Sequence, residues 1–488
     1  MLNPLDRLNC HSLLANSKVC YTTYPNFVII LTTLLFGVLS HRTCLCLLSG
    51  RRKKGLLNMT ASIRHRLPRL GFSVLSVAYV LLAGCTGNGA NIPNPATRVL
   101  YTETNSPAAN ANAVLAYRQD AGGRLTLINT YSTGGTGTSE PALLPTGVLD
   151  TDKSILINAA HTHLFAVNQG SDTIAVFQIN SDASLTAVPG SPFPSRGHAP
   201  VSLGFSNNDT VLTVVNSSLD PSRNTNDIAP NYTSFGVAAS GALTPIANSV
   251  ISLPVGSAPS IALPAPGGSL IFGANFLNDQ IPVFQVGANG LLTQAPGSPH
   301  IPEAAIFTGA AAGKPHHPFG VGVFPSAAQR ILYVSYPLAQ QLAVYTYDTS
   351  GQLTFVRAVA NTGKAACWIV INNAATRLYT SNAISGDITV YDISGDATNP
   401  RQMQVVPITA IAGSANVNGN PWHLSLDPSN QYLYVLTPRD LGITPAGQGN
   451  TIHVLLVNAA DGTLTEVPNS TVTIGVPVGT SPQGIAVL

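Results

Sequence analysis

A short signature recurs along this chain at nearly constant intervals, and it constrains the fold more than any other feature. It reads small-x-Leu-Thr: Gly123-Arg124-Leu125-Thr126, Ala183-Ser184-Leu185-Thr186, Gly241-Ala242-Leu243-Thr244, Gly290-Leu291-Leu292-Thr293, Gly351-Gln352-Leu353-Thr354 and Gly462-Thr463-Leu464-Thr465. Successive leucines lie 60, 58, 49, 61 and 111 residues apart. The last interval is about twice the others, which places a decayed copy near Arg401-Gln402-Met403. The chain therefore carries seven units of about 56 residues, a period that belongs to repeat architectures.

Each unit repeats one internal order. In the fifth, residues 319–324 read as a first strand, 331–334 as a second and 342–347 as a third. A turn at Asp348-Thr349-Ser350-Gly351 then leads into a fourth, 353–356. These runs are rich in β-branched and aromatic residues and are bounded by Gly, Asn, Asp and Pro. Many are continuously apolar, as in Ile174-Ala175-Val176-Phe177, which suits a sheet covered on both faces. No sustained helical period follows Cys85. Four strands per unit, repeated radially, predict an all-β, seven-bladed β-propeller over residues 98–488. The first unit has only three strands, at 99–102, 114–118 and 125–130. The chain ends on Pro482-Gln483-Gly484-Ile485-Ala486-Val487-Leu488, which matches a first strand, so the C-terminus is expected to complete the N-terminal blade. Two sandwich domains, the other all-β solution, would give neither a constant period nor an orphan closing strand.

Composition agrees. Charged residues are 9% of the chain, against about 25% in ordinary soluble domains, while 45% is hydrophobic and Gly and Pro number 43 and 36. That mixture suits short buried strands and tight turns, not disorder. Charge is unevenly placed. Ten of the 23 Lys and Arg precede Cys85 with a single acid, Asp6, so the rest holds 13 basic and 20 acidic residues. A nucleic-acid partner, which needs a basic stripe, is excluded on that balance. Cys10, Cys20, Cys44, Cys46 and Cys85 precede the repeats and only Cys367 lies within them. No internal disulfide or CxxC zinc site is available there, and the predicted core must hold by packing.

Residues 59–84 read as an export signal. Arg64, Arg66 and Arg69 supply a positive start, and residues 72–82 an apolar core shorter than a membrane span requires. Leu82-Ala83-Gly84-Cys85 resembles the bacterial lipobox, which implies lipidation of Cys85 and a short tether, 85–97, to the propeller. Residues 1–58 read as an over-extended N-terminus. Their apolar run, 27–39, followed by Arg51-Arg52-Lys53-Lys54, leaves a membrane anchor as the alternative. The expected location is the bacterial cell envelope, with the lipid as membrane anchor and the propeller in the periplasm or at the surface.

Second strands followed by Asn, as in Leu164-Phe165-Ala166-Val167-Asn168, resemble the units of the seven-bladed lactonase-like propellers. That family includes propeller-type 6-phosphogluconolactonases and carboxymuconate cyclases. Cys367-Trp368-Ile369-Val370 with Arg377-Leu378-Tyr379-Thr380-Ser381-Asn382 is similar to a common family unit. In the family's enzymes a His-Pro or Pro-Arg-His element enters a first strand and Asn-Glu follows a second. His316-His317-Pro318 matches the first element. The second is not matched: the residue after the strand-end Asn is Gln169, Ser217, Phe276 or Ala383, and the fifth unit ends in Ser335-Tyr336.

Residues just before each first strand should gather round one mouth of the channel. That group is His198, His316, His317, Trp368, Trp422, His423 and Gln483. All but His317 are read as ligand-binding. His317 is the candidate catalytic base, with Arg223 or Arg439 to stabilise an oxyanion. His161 and His163, two apart at a strand start, have no third ligand nearby, so no metal is expected. No cofactor is expected either, since a quinone-dependent sugar oxidation would want cations at the mouth. Cys367 reads as core. The missing carboxylate favours a monomeric envelope scaffold that binds a lactone or sugar-like small molecule or an envelope protein. The alternative is a lactone hydrolase of the 6-phosphogluconolactonase type. For the anchor, Cys85→Ala should abolish lipid labelling and release the protein from membranes; labelling that survives the substitution rejects the lipoprotein reading.

Overall fold

In the computed structural model the described residues are 9–14, 17–24, 27–34, 98–138, 151, 153–220, 223, 225, 227–408, 421–438, 450–477 and 480–488. The expected signal segment, the tether, Cys85 and Arg439 lie outside them. The chain divides into two units, Met1–Ala90 and Asn91–Leu488. In the first, Asn9–Leu14, Ser17–Tyr24 and Phe27–Leu34 form a three-stranded antiparallel sheet. The start of the apolar run, Phe27 to Leu34, is therefore strand, and no described helix is long and apolar enough to cross a membrane.

The second unit is a seven-bladed propeller of antiparallel four-stranded blades. Blade 1 takes its first strand from the C-terminus: Gln483–Val487 pairs with Arg98–Glu103, with Gln483 opposite Glu103 and Val487 opposite Leu100. The ring closes as the sequence predicts. First strands of blades 2 to 7 begin at Ile155, Pro200, Leu263, Val321, Ala366 and His423. Blade 5 is Val321–Val323, Ile331–Tyr336, Gln341–Tyr347 and Leu353–Ala360, so its first strand is shorter than the predicted 319–324. The decayed copy of the signature is real structure: Arg401–Pro407 is the fourth strand of blade 6.

The signature has a physical reading. Its small residue ends the turn between third and fourth strands at positive φ: +85° at Gly123, +91° at Gly351, +72° at Gly462 and +65° at Ala183, the one non-glycine. Glycine suits that left-handed conformation because it has no Cβ. At Gly462 a Cβ would also meet Arg377 Cγ of blade 6 at 2.5 Å. The leucine that follows by two is buried in all six copies and the threonine after it faces out or nearly so.

These turns also latch neighbouring blades. Leu-Tyr pairs on second strands send the tyrosine hydroxyl to the turn of the next blade. Tyr101 donates to the Ala183 carbonyl (2.6 Å), Tyr333 to Ala397 (2.7 Å) and Tyr379 to Gly462 (3.0 Å). Tyr434 reaches blade 1 through the Gln119 side chain at 2.7 Å. The strand-end asparagines do similar work: Asn382 bonds Asn361, Asp387 and Thr389, and Gly363 packs so close that a Cβ would lie 2.2 Å from its amide.

Continuously apolar strands are explained by two-sided burial. Ile174 and Val176 pack into the cluster shared with blade 3, while Ala175 and Phe177 pack into the one shared with blade 1. Among the described residues each of the seven neighbouring blade pairs has its own cluster. Deleting residues 481–488 strips blade 1 of its first strand and uncovers Ile485's cluster with blade 7 and Ala486's with blade 2. The loss should cost several kcal/mol of the roughly 5–15 that stabilise a domain, and melting should fall by several degrees. A truncated protein melting within about two degrees of the parent rejects the closing role.

Candidate functional site

First strands start, and second strands end, at the same rim of the ring, so the loops joining second to third strands face the chain as it arrives from the preceding blade. Three of these loops carry the spacing Asn-x-x-x-Asp: Asn168/Asp172, Asn216/Asp220 and Asn275/Asp279. Asp172 and Asp279 occupy left-handed positions, with φ of +56° and +53°. Asp is among the residues that tolerate this conformation, and each carboxylate here accepts an amide from the next blade's arriving segment. Asp172 Oδ1 accepts from Ala199 N at 2.8 Å, and Asp279 Oδ1 from His317 N at 2.7 Å.

Each carboxylate also orients an imidazole. His198 Nδ1 donates to Asp172 Oδ2 at 2.8 Å. His317 Nδ1 donates to Asp279 Oδ1 at 3.0 Å, with its ring stacked on Phe276 at 4.2 Å between centroids. The rim thus carries two His–Asp pairs, before blades 3 and 5. In the first, the imidazole comes from the residue preceding the left-handed Ala199; in the second, from the left-handed residue itself.

Arg223 belongs to the first pair. It grips both oxygens of Asp172 at 2.8 Å, Asp220 Oδ2 at 2.5 Å and the Gln169 carbonyl at 2.7 Å. Burial works against the charge on Asp172, but the Arg223 bonds, the Ala199 amide and the nearby positive charge outweigh it and hold its pKa below the usual value. The same bond to Asp172 raises the pKa of Arg223. The expected partnership of Arg223 with His317 is therefore corrected: two carboxylates from blades 2 and 3 hold the guanidinium beside His198. With four acceptor oxygens engaged, Arg223 positions its neighbours.

Of the other expected rim residues, Trp368, Trp422, His423 and Gln483 are buried and His316 is half-buried. His316 stacks on Phe307 at 4.0 Å, and among the described residues its buried Nδ1 has no hydrogen-bond partner. Trp368 and Trp422 flank Phe319 at 4.4 and 5.6 Å and are buried, so with His423 they form the floor of the mouth. At the other end of the ring a cavity of about 590 Å³ is lined by Pro264, Val323, Ile371 and Leu426. His161 and His163 lie in the hairpin at that end, and among the described residues no group of three or more His, Cys, Asp or Glu is placed to hold a metal. Cys367 is buried, its thiol 3.2 Å from the Ala365 carbonyl.

Gln483 is wholly buried against a residue that sequence reasoning missed, Glu103. This carboxyl ends the second strand of blade 1 at zero exposure, accepts from Asn112 Nδ2 at 3.3 Å, and is approached by Gln483, Ser154 and Val167. Burial outweighs these polar neighbours and pushes its pKa well above the ordinary carboxyl value. Asp172, Asp220 and Asp279 were missed as well; their signal was the repeated Asn-x-x-x-Asp.

Residues 323–476 match the family model described as lactonase, 7-bladed beta-propeller. No curated protein sequence matches the chain. Among solved structures, the chain is similar to the periplasmic gluconolactonase of Pseudomonas aeruginosa, at 14% identity and a TM-score of 0.58, covering 80% of this chain and 99% of that one. It is similar to a candidate 6-phosphogluconolactonase from Bacteroides fragilis, at 15% identity and 0.57, covering 81% and 99%. A hypothetical selenium-binding protein from Sulfolobus tokodaii, at 9% identity and 0.56, shares the fold over 81% and 94%. Likeness at these identities concerns the fold.

Glu103 yields a test. A carboxyl whose folded pKa is raised stabilises the fold fully below its unfolded pKa and loses that contribution as pH rises through the folded pKa. Melting temperature should therefore fall from pH 5 to pH 8, and Glu103→Gln should flatten that fall and stabilise the protein at pH 8. An unchanged slope in the variant removes Glu103 as its source.

Proposed function

We propose that this chain, a seven-bladed propeller carrying the lactonase-family domain, hydrolyses a lactone at its mouth. The observation that carries this reading is the His198–Asp172 pair on the rim, with the His198 side chain 41% exposed. With Nδ1–H committed to Asp172, the neutral ring keeps its lone pair on Nε2. That atom takes a proton from a water attacking the lactone carbonyl, in the way an oriented His–Asp pair serves as general base. Asp172 fixes the tautomer and compensates the imidazolium that forms, and Arg223 and Asp220 hold Asp172 in place. The carboxylate that the family pattern places directly after the strand-end Asn is thus supplied four residues after it. This moves the hydrolase reading ahead of the binding scaffold.

The guanidinium in this cluster already shares two carboxylates, which favours an uncharged aldonolactone over a phosphorylated one. The protein is read as a monomer held in the cell envelope through Cys85. Purified protein should release acid from glucono-δ-lactone much faster than from 6-phosphogluconolactone, and His198→Ala should lower that rate by about 10²–10⁴-fold. Turnover unaffected by His198→Ala would move the site, and turnover of neither lactone would return the protein to a ligand-binding role.

A further inference from the structure

The geometry points to a second binding site, at the end of the ring opposite the mouth, for a straight-chain carboxylate of the fatty-acid class. Its basis is a register position that all seven blades share. On each first strand, one residue pairs with a leucine or isoleucine near the start of the second strand. In blades 4 to 7 these residues are Pro264, Val323, Ile371 and Leu426, opposite Ile271, Leu332, Leu378 and Leu433. In blades 1 to 3 they are Val487, Ile157 and Phe205, opposite Leu100, Leu164 and Leu212. All seven are apolar and all seven are half-buried. Toward the mouth, first strands of blades 6, 7 and 1 carry Trp368, His423 and Gln483 instead. The lining of the ring thus changes character from one end to the other.

Four of these residues line the cavity of about 590 Å³, with Leu263, Pro266 and Ile369 beside them. Small-molecule sites span about 300–1,000 Å³ and are mainly apolar with a few polar groups, which describes this one. Half-exposed apolar side chains leave a surface that a hydrocarbon chain can cover, at a gain of about fourfold in affinity per methylene buried. Among the described residues lining the cavity, Lys153 alone is charged. The carboxylate next to the lining in sequence, Asp427, is engaged elsewhere. Its Oδ2 accepts from Arg98 Nε at 3.0 Å, and its Oδ1 from the Gln431 and Tyr432 amides at 2.7 Å. One cation in an apolar site selects a monoanion with an apolar tail, so it suits a carboxylate better than a phosphate, which brings up to two charges. The site uses neither His–Asp pair, and it stands whether or not the mouth hydrolyses a lactone.

Calorimetric titration of the purified full chain with hexanoate, octanoate and decanoate, below micelle-forming concentrations, tests the site. Affinity should rise about fourfold per methylene, and decanoate should bind at least about tenfold tighter than decanol. Lys153→Gln should remove that preference, weakening decanoate and leaving decanol unchanged. Ile371→Asp, which sets a carboxylate in the apolar ring, should abolish decanoate binding. Val323→Ser, a milder change that keeps the test open if Ile371→Asp does not fold, should weaken decanoate and decanol alike. Melting temperatures close to the parent's show that the variants are folded. Affinity independent of chain length overturns the site, as does decanoate binding that survives both lining substitutions. Decanol binding as tightly as decanoate, or a Lys153→Gln protein that still prefers the acid, overturns the assignment of a carboxylate ligand.

Discussion

Every blade of this protein has two apolar faces, and neither can be buried alone. Strands such as Ile174–Phe177 place successive side chains in different clusters, one shared with each neighbouring blade. A sheet of that kind is insoluble by itself, and an open stack of such sheets leaves a bare face at each end. The ring is the arrangement with no ends, so the fold depends on the C-terminal strand finding Arg98–Glu103 across almost the whole length of the propeller. Turn geometry serves the same constraint. In the turns of blades 2 and 7 the left-handed residue, Ala183 or Gly462, brings its carbonyl within reach of a tyrosine from the preceding blade, and a polar latch then ties two apolar surfaces at a defined offset. Such bonds contribute about 1 kcal/mol each, far less than the packing, but they fix the blade register that packing alone leaves loose.

That register is what makes a site. The rim loops come from different blades and have no helix or sheet of their own to align them. Their alignment comes from side chains that cross between blades: Ser335 and Ser381 hydroxyls donate to the Cys367 and Trp422 carbonyls, and Asp172 and Asp279 accept the Ala199 and His317 amides. Position 103 corresponds to Ser335 and Ser381 in its strand, yet it holds a glutamate. A carboxyl is larger than a hydroxyl and costly to bury charged, which is why it takes four polar neighbours and still favours its proton. It lies where the first, last and second segments of the ring meet, so the protonation of one group bears on closure.

How much of this was legible follows from which residues obey local rules. The turn signature, the strand runs and the closing strand are local or periodic, and they place the blades correctly, including the decayed copy at Arg401. The strand-end asparagines were legible too, but their role is to bind loop partners such as Asn361 and Asp387. The rim histidines were readable because position relative to a first strand sets them on the mouth. Their carboxylates were not, because Asp172 and Asp279 act across a blade boundary, 26 and 38 residues from the imidazoles they hold. The contact of Arg223 with Asp172, beside His198, was not legible for the same reason. Which loops touch depends on blade register, and register is a tertiary property.

The two His–Asp pairs also show how a repeat reuses one contact. An aspartate in a left-handed turn position first serves the scaffold, satisfying an amide that would otherwise be stranded at the start of a blade. One of its two oxygens suffices for that bond, as Asp172 Oδ1 and Asp279 Oδ1 show. The remaining lone pairs are then available to any histidine near the same amide, and a fixed carboxylate is what turns an ordinary rim imidazole into an oriented base or acid. Because the blades repeat, the device arises more than once on one rim. Divergence of the surroundings, Arg223 beside one pair and Phe276 under the other, then gives two copies of one structural contact different neighbours.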